Sequence, residues 1–128
     1  MPGTVSVSFG HRLGFDTYDI DWTSDASGNV SASTVGIAPG YLKYIYVIPN
    51  LGATQPTDLF DVEVRTGSNL NLLDREGTNT GLNRPNDESS LFTFTPPVPI
   101  DVQDTIQVII SGAGNAKTGR VSLYVGAK

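Results

Sequence analysis

The chain has 128 residues, with 8 Lys+Arg against 13 Asp+Glu and a formal net charge of −5. It has no cysteine and one histidine, which excludes a disulfide framework, a thiolate metal centre, a thiol nucleophile and a multi-histidine site within one chain. The basic residues are scattered with no two adjacent, so the phosphate-neutralising footprint of a nucleic-acid binder is missing; no apolar run approaches the roughly 18 residues of a membrane helix, and the Met1–Thr4 start has no secretory n- and h-region.

Taken in chain order, the sequence reads as short strands between turn clusters. Val5 to Phe9 alternates with period two, so residues 1–16 form either an N-terminal arm or a first strand. Tyr18, Ile20 and Trp22 share one face of the next strand, and Asp19, Asp21 and Thr23 share the other. Ser24 to Gly28 is a turn cluster, with Asn29 to Thr34 as the return strand of a hairpin. Tyr41 to Ile48 is apolar on both faces, Leu42, Tyr44, Tyr46 and Ile48 on one and Tyr41, Ile45 and Val47 on the other. Such a strand is either covered on both sides or meets another chain. Pro49 ends it.

Phe60, Val62 and Val64 point inward from a half-buried strand that ends at Thr66. A long loop follows over 67–90, with a short helical candidate at Ser68 to Asp74. Structureless loops beyond about 12–15 residues tend to be functional. This one supplies Arg75, Arg84, Pro85 and Asn86 as candidate partner contacts, unless it is a solvated excursion. Phe92 to Thr95 is a strand stopped by Pro96-Pro97, and Thr105–Ile110 and Val121–Val125 are joined by a hairpin loop over Ser111 to Gly119. About eight antiparallel strands in one domain over 1–128 predict an all-β, two-sheet sandwich, jelly-roll-like, with an up-and-down barrel as the alternative.

No catalytic, metal or cofactor residue is assigned. Asp16, Asp19, Asp21 and Asp25 lack the spacing of a calcium loop, and Asp19 and Asp21 alternate to the solvent side of their strand. His11 has no nucleophile elbow to serve. Gly112 to Gly119 contains Gly-x-Gly and Lys-Thr, but in an order that breaks the phosphate loop, and a strand follows it. Trp22 and the five tyrosines could line a carbohydrate platform, although Trp22 alternates in phase with core positions. Tyr44 and Tyr46 are candidates for a seam between subunits, with core placement the leading alternative.

Two stretches, Ile20-Asp21-Trp22-Thr23-Ser24-Asp25-Ala26-Ser27-Gly28-Asn29-Val30 and Ile48-Pro49-Asn50-Leu51-Gly52-Ala53-Thr54-Gln55-Pro56-Thr57-Asp58-Leu59-Phe60-Asp61-Val62, carry a resemblance. With Gly114-Asn115-Ala116-Lys117-Thr118-Gly119 before the last strand, they resemble small structural proteins of tailed bacteriophages, over about residues 17–66 and 105–126. The resemblance implies a non-enzymatic virion component, in particular a capsid decoration (cement) protein. Such a protein is made in the host cytoplasm, binds the major capsid protein on the outer shell surface and clusters with copies of itself as a homotrimer, without cofactor, nucleic acid or membrane. The alternative is a carbohydrate- or host-surface-binding sandwich of a head fibre or tail. The loop over 67–90 lies outside the resemblance; residues 78–88 are expected to contact the capsid and to be removable without loss of fold.

Overall fold

The computed structural model describes residues 3–37, 39–66, 71–73, 83–100 and 105–126, with backbone only for 31–35. Its strands are β1 (Thr4–Arg12), β2 (Phe15–Thr23), β3 (Val30–Gly36), β4 (Gly40–Pro49), β5 (Phe60–Thr66), β6 (Asn83–Arg84), β7 (Ser90–Ile100), β8 (Thr105–Ser111) and β9 (Thr118–Gly126). Eight of them have seven residues or more, and β6 is a two-residue strand. They form two antiparallel sheets, β1-β2-β9-β4-β7 and β3-β8-β5-β6. The pairs are nested: β2 with β9, β3 with β8, β4 with β7, β5 with β6. A long hairpin folded over on itself gives this order, which is the wiring of a jelly roll, here with β1 added outside β2. The sheets do not close into a barrel.

The nesting corrects two hairpins expected from the sequence. β3 pairs with β8 and not with β2, so residues 24–29 cross from one sheet to the other; residues 112–117 cross back between β8 and β9. The turn chemistry is as expected. Asp25 Oδ1 accepts the Ser27 and Asn29 N–H groups at 2.9 Å each, and Gly28 takes a φ of +85°. Those features make a sharp reversal without deciding which sheet receives the next strand. The two corners lock together, with Ser24 N–H donating to Lys117 O at 2.8 Å and Ala113 N–H to Gly28 O at 3.0 Å. Residues 50–59 join them through Thr57 N–H to Ala113 O at 2.9 Å and Thr118 N–H to Thr54 O at 3.0 Å.

Period-two alternation builds the core from the inward faces. Tyr18, Ile20 and Trp22 of β2, Val121, Leu123 and Val125 of β9 and Ile45 and Val47 of β4 face Phe60, Val62 and Val64 of β5 and Ile106, Val108 and Ile110 of β8. Each large aliphatic or aromatic side chain so buried stabilises the fold by about 1.5–3 kcal/mol. Trp22 and Phe60 meet across the sandwich at 5.7 Å between ring centroids.

Three further expectations are corrected. Against β9 the register of β4 shifts between Leu42 and Tyr44, so one extra residue in β4 reverses the phase. Leu42 therefore joins Ile45 and Val47 in the core, while Tyr41 is exposed and Tyr44 and Tyr46 are half-buried. β7 continues through Pro96, Pro97 and Pro99 to Ile100, because an edge strand tolerates missing donors. At 71–73 there is no helical turn. Asn71 bridges to Arg65, Leu72 N–H donates to Val64 O at 2.8 Å, and Leu72 and Leu73 are buried. The rest of that helical candidate, 68–70 and 74, lies outside the described residues.

Candidate functional site

The outer face of the five-stranded sheet is left uncovered by the second sheet, and the register sorts its side chains into two zones. Tyr124 of β9 sits between Thr17 of β2 and Tyr44 of β4; one step along, Ser122 sits between Asp19 and Tyr46; one step further, Arg120 sits between Asp21 and Ile48.

The first zone is an aromatic basin. Leu13, Phe15, Tyr44, Tyr46, Leu91 and Tyr124 line a depression of about 340 Å³. Its rings meet edge to face: Phe15 lies 5.7 Å from Tyr44 and 6.1 Å from Tyr124, and Tyr44 lies 6.2 Å from Tyr124 between centroids. That geometry orients the rings through their quadrupoles. Two cations rim it, with the Arg12 guanidinium 5.6 Å from the Tyr124 centroid and Lys43 Nζ 6.0 Å from that of Tyr44. Leu13, at the tip of the β1–β2 turn, is 91% exposed.

The second zone is a ladder of charges. Arg120 donates from Nε to Asp21 Oδ1 at 2.6 Å and from Nη2 to Oδ2 at 3.1 Å. Both Asp19 carboxylate oxygens accept from Arg12 Nη2, at 2.8 and 2.9 Å, and Oδ1 also accepts the Ser122 hydroxyl at 2.7 Å. Its hydrogen bond to Asp21 holds the Arg120 guanidinium above its ordinary pKa, against a smaller opposing effect of burial. Beyond the ladder, Asp21, Thr23, Ile48, Asn50, Thr118 and Arg120 wall an open groove of about 450 Å³. Asn50 Nδ2 donates there to Thr54 and Thr118 hydroxyls at 2.8 Å each.

The acidic cluster read in the sequence is dispersed by the fold. Asp19 and Asp21 are in the ladder, Asp16 meets the His11 imidazole at 3.1 Å, and Asp25 caps its own turn. Among the described residues no three Asp, Glu, His or Cys side chains gather as metal ligands. The Gly112–Gly119 segment is a sheet-to-sheet corner whose N–H groups at Ala113 and Ala116 bond Gly28 and Asp25 carbonyls.

Of the candidate contact residues, Tyr44 and Tyr46 are in the basin and not in the core. Asn86 is engaged inside the molecule. Its Nδ2 donates to Pro56 O at 2.9 Å, its N–H to Asp58 Oδ1 at 3.1 Å, and its carbonyl accepts Gln55 Nε2 at 2.8 Å. Arg84 pairs with Phe60 in the β5–β6 ladder, stacks 5.2 Å from the Phe92 centroid and has its pKa lowered by burial. Pro85 sits between them, half-buried. Removing 78–88 would therefore delete β6 and the Asn86 bonds, at a cost in stability. Arg75 lies outside the described residues.

The sequence reading offered Tyr124 with the other tyrosines as a surface platform but did not single out Leu13, Phe15, Leu91 or Arg12 beside it. A signal was present. Tyr124 alternates out of phase with Leu123 and Val125, and Phe15 is in phase with Asp19 and Asp21. Trp22, 1% exposed, belongs to the core and not to a surface platform. No family model matches the chain, and no curated protein or solved structure matches it. The fold and this face together define a class, a two-sheet jelly-roll sandwich with an aromatic outer face.

Proposed function

We propose that the chain is a non-enzymatic virion structural protein of a tailed bacteriophage, a decoration protein that binds the assembled shell of the major capsid protein on its outer surface. The observation that carries this reading is the aromatic basin, half-buried rings flanked by exposed Leu13 and Leu91 on the outer sheet of a jelly roll whose loops are locked at one end. Contiguous exposed apolar surface marks interaction sites, and tyrosine, phenylalanine and arginine are the residues enriched in protein interfaces. Jelly rolls recur in viral capsids and in lectins, and the resemblance over residues 17–66 and 105–126 points to the first. A protein that binds only the assembled lattice stabilises it by mass action. Modest affinity per copy is sufficient when neighbouring copies are linked, because effective concentration multiplies it.

The test is co-sedimentation with assembled shells of the phage that encodes the chain. Saturable pelleting that Tyr46→Ala weakens at least about tenfold supports the reading, as expected for an aromatic residue at an interface centre. A folded chain that stays in the supernatant at every concentration overturns it. A second reading, glycan binding in a head fibre or tail, is favoured by the tyrosine hydroxyls on the same basin. Saturable binding across a glycan panel, lost in Tyr46→Ala and without shell pelleting, would establish that reading instead. Trp22 fluorescence is no reporter for it, because the indole is in the core.

A further inference from the structure

A two-sheet sandwich has four edge strands, and each edge is a template for another strand unless something blunts it. Three of the four edges here are blunted. β7 carries Pro96, Pro97 and Pro99, which cannot donate to a ladder. β3 breaks register between Val30 and Ser33, and among the described residues β6 has two. β1 has none of these devices. It pairs with β2 in unbroken register from Thr4 opposite Thr23 to Arg12 opposite Phe15, and its free side is the end of the sheet. From Thr4 to Gly10 it has no proline and no charged residue.

The inward row of β1 is also uncovered. Val5 packs against the core, but Val7 is 44% and Phe9 65% exposed. Phe9 stands edge-on to Tyr18 at 5.3 Å between centroids, so its ring is held in place while it faces solvent.

We propose that β1 is a self-association edge, and that its occupant is β1 of a second copy of this chain. Antiparallel pairing about a two-fold axis is self-complementary. Centred on Val7, it sets Val7 opposite Val7 of the second copy, Val5 opposite Phe9 and Ser6 opposite Ser8. Apolar meets apolar on one face, and hydroxyl meets hydroxyl on the other. The two short rows become one continuous row, and the two five-stranded sheets become one of ten strands. Charge favours this edge over the rest of the surface. A chain with a net charge of −5 repels its own copies, and an uncharged strand lets two copies pair without like charges directly opposite. This pair is two-fold, where the resemblance implied a trimer, and it does not depend on the shell-binding reading.

The test combines native mass with one engineered cysteine. Light scattering across the micromolar range should give twice the 13.6 kDa chain mass. Val7→Lys places an inward charge on the edge and should weaken self-association at least about tenfold, with the circular dichroism spectrum of the parent and a melting curve that no longer shifts with concentration. Because the chain has no cysteine of its own, Val7→Cys gives a second readout. Opposed residues in an antiparallel pair have Cα atoms about 4.5–5.5 Å apart, within the span of a disulfide, so this variant should oxidise to a covalent dimer much faster than Leu51→Cys, exposed in the β4–β5 connection. A mass of 13.6 kDa throughout, with the two cysteine variants cross-linking equally slowly, overturns the proposal. An oligomer of any size that Val7→Lys leaves unchanged overturns it as well.

Discussion

The backbone N–H of Ala113 donates to the carbonyl of Gly28 at 3.0 Å, across 85 residues of sequence and between the two corners that carry the chain from sheet to sheet. Gly28 makes this approach possible in two ways. It adopts a φ of +85°, and a Cβ there would lie 2.6 Å from Gly114 N and 3.1 Å from Ala113 N. Both obstacles are backbone, which cannot rotate aside. Gly28→Ala is predicted to destabilise the fold by about 2–4 kcal/mol, from left-handed strain plus overpacking. Urea denaturation should show a lower midpoint with an unchanged slope.

Asn86 is a clamp, and its replacement should be read in stability before it is read in binding. Asn86→Ala removes the bond to Pro56 O and leaves that carbonyl without it, at a cost of about 1–2 kcal/mol. Thermal melting should detect the loss. Unchanged melting would show that the 83–90 segment is held by the Asp58 and Gln55 bonds alone.

Two aromatic residues separate core from surface. Trp22→Ala should cost about 3–5 kcal/mol, as expected for a fully buried aromatic side chain. Tyr46→Ala, on the outer face, should cost less than about 1.5 kcal/mol, beyond its share of ring contacts little being lost. Equal losses in the two variants would mean that the basin is part of the core and not a contact surface.

The Arg120–Asp21 pair is bidentate but close to half exposed, with 41% and 45% of the two side chains accessible. Exposed pairs of this kind contribute about 0–1 kcal/mol. Arg120→Met should therefore move the denaturation midpoint little, and raising salt should move the parent protein little. A loss well above that range would make the ladder a structural network.

The elements that were legible in the sequence are those whose signal is local. Alternation placed Tyr18, Ile20 and Trp22 inward and Asp19 and Asp21 outward, and did the same for Phe60, Val62 and Val64. What was not legible depends on partners. The turn at Asp25 and Gly28 has the chemistry of a hairpin, and only the distant Ala113 and Ser24–Lys117 bonds make it a corner between sheets. The extra residue at Lys43 carries no glycine or proline to announce a bulge, so its phase reversal sent Leu42 and Tyr41 to the wrong faces. The basin draws on β1–β2, β4, β7 and β9 together, and no window of sequence holds more than two of its residues. Asn86 looked available because its three partners are about 30 residues away in the chain.

The most direct measurement of the proposed role is electron cryomicroscopy of shells saturated with the chain. Ordered density for a β-sandwich is expected on the outer shell surface, with the face carrying Phe15, Tyr44, Tyr46 and Tyr124 turned against the capsid protein. Shells without added density, or density in which that face points to solvent, would contradict that role.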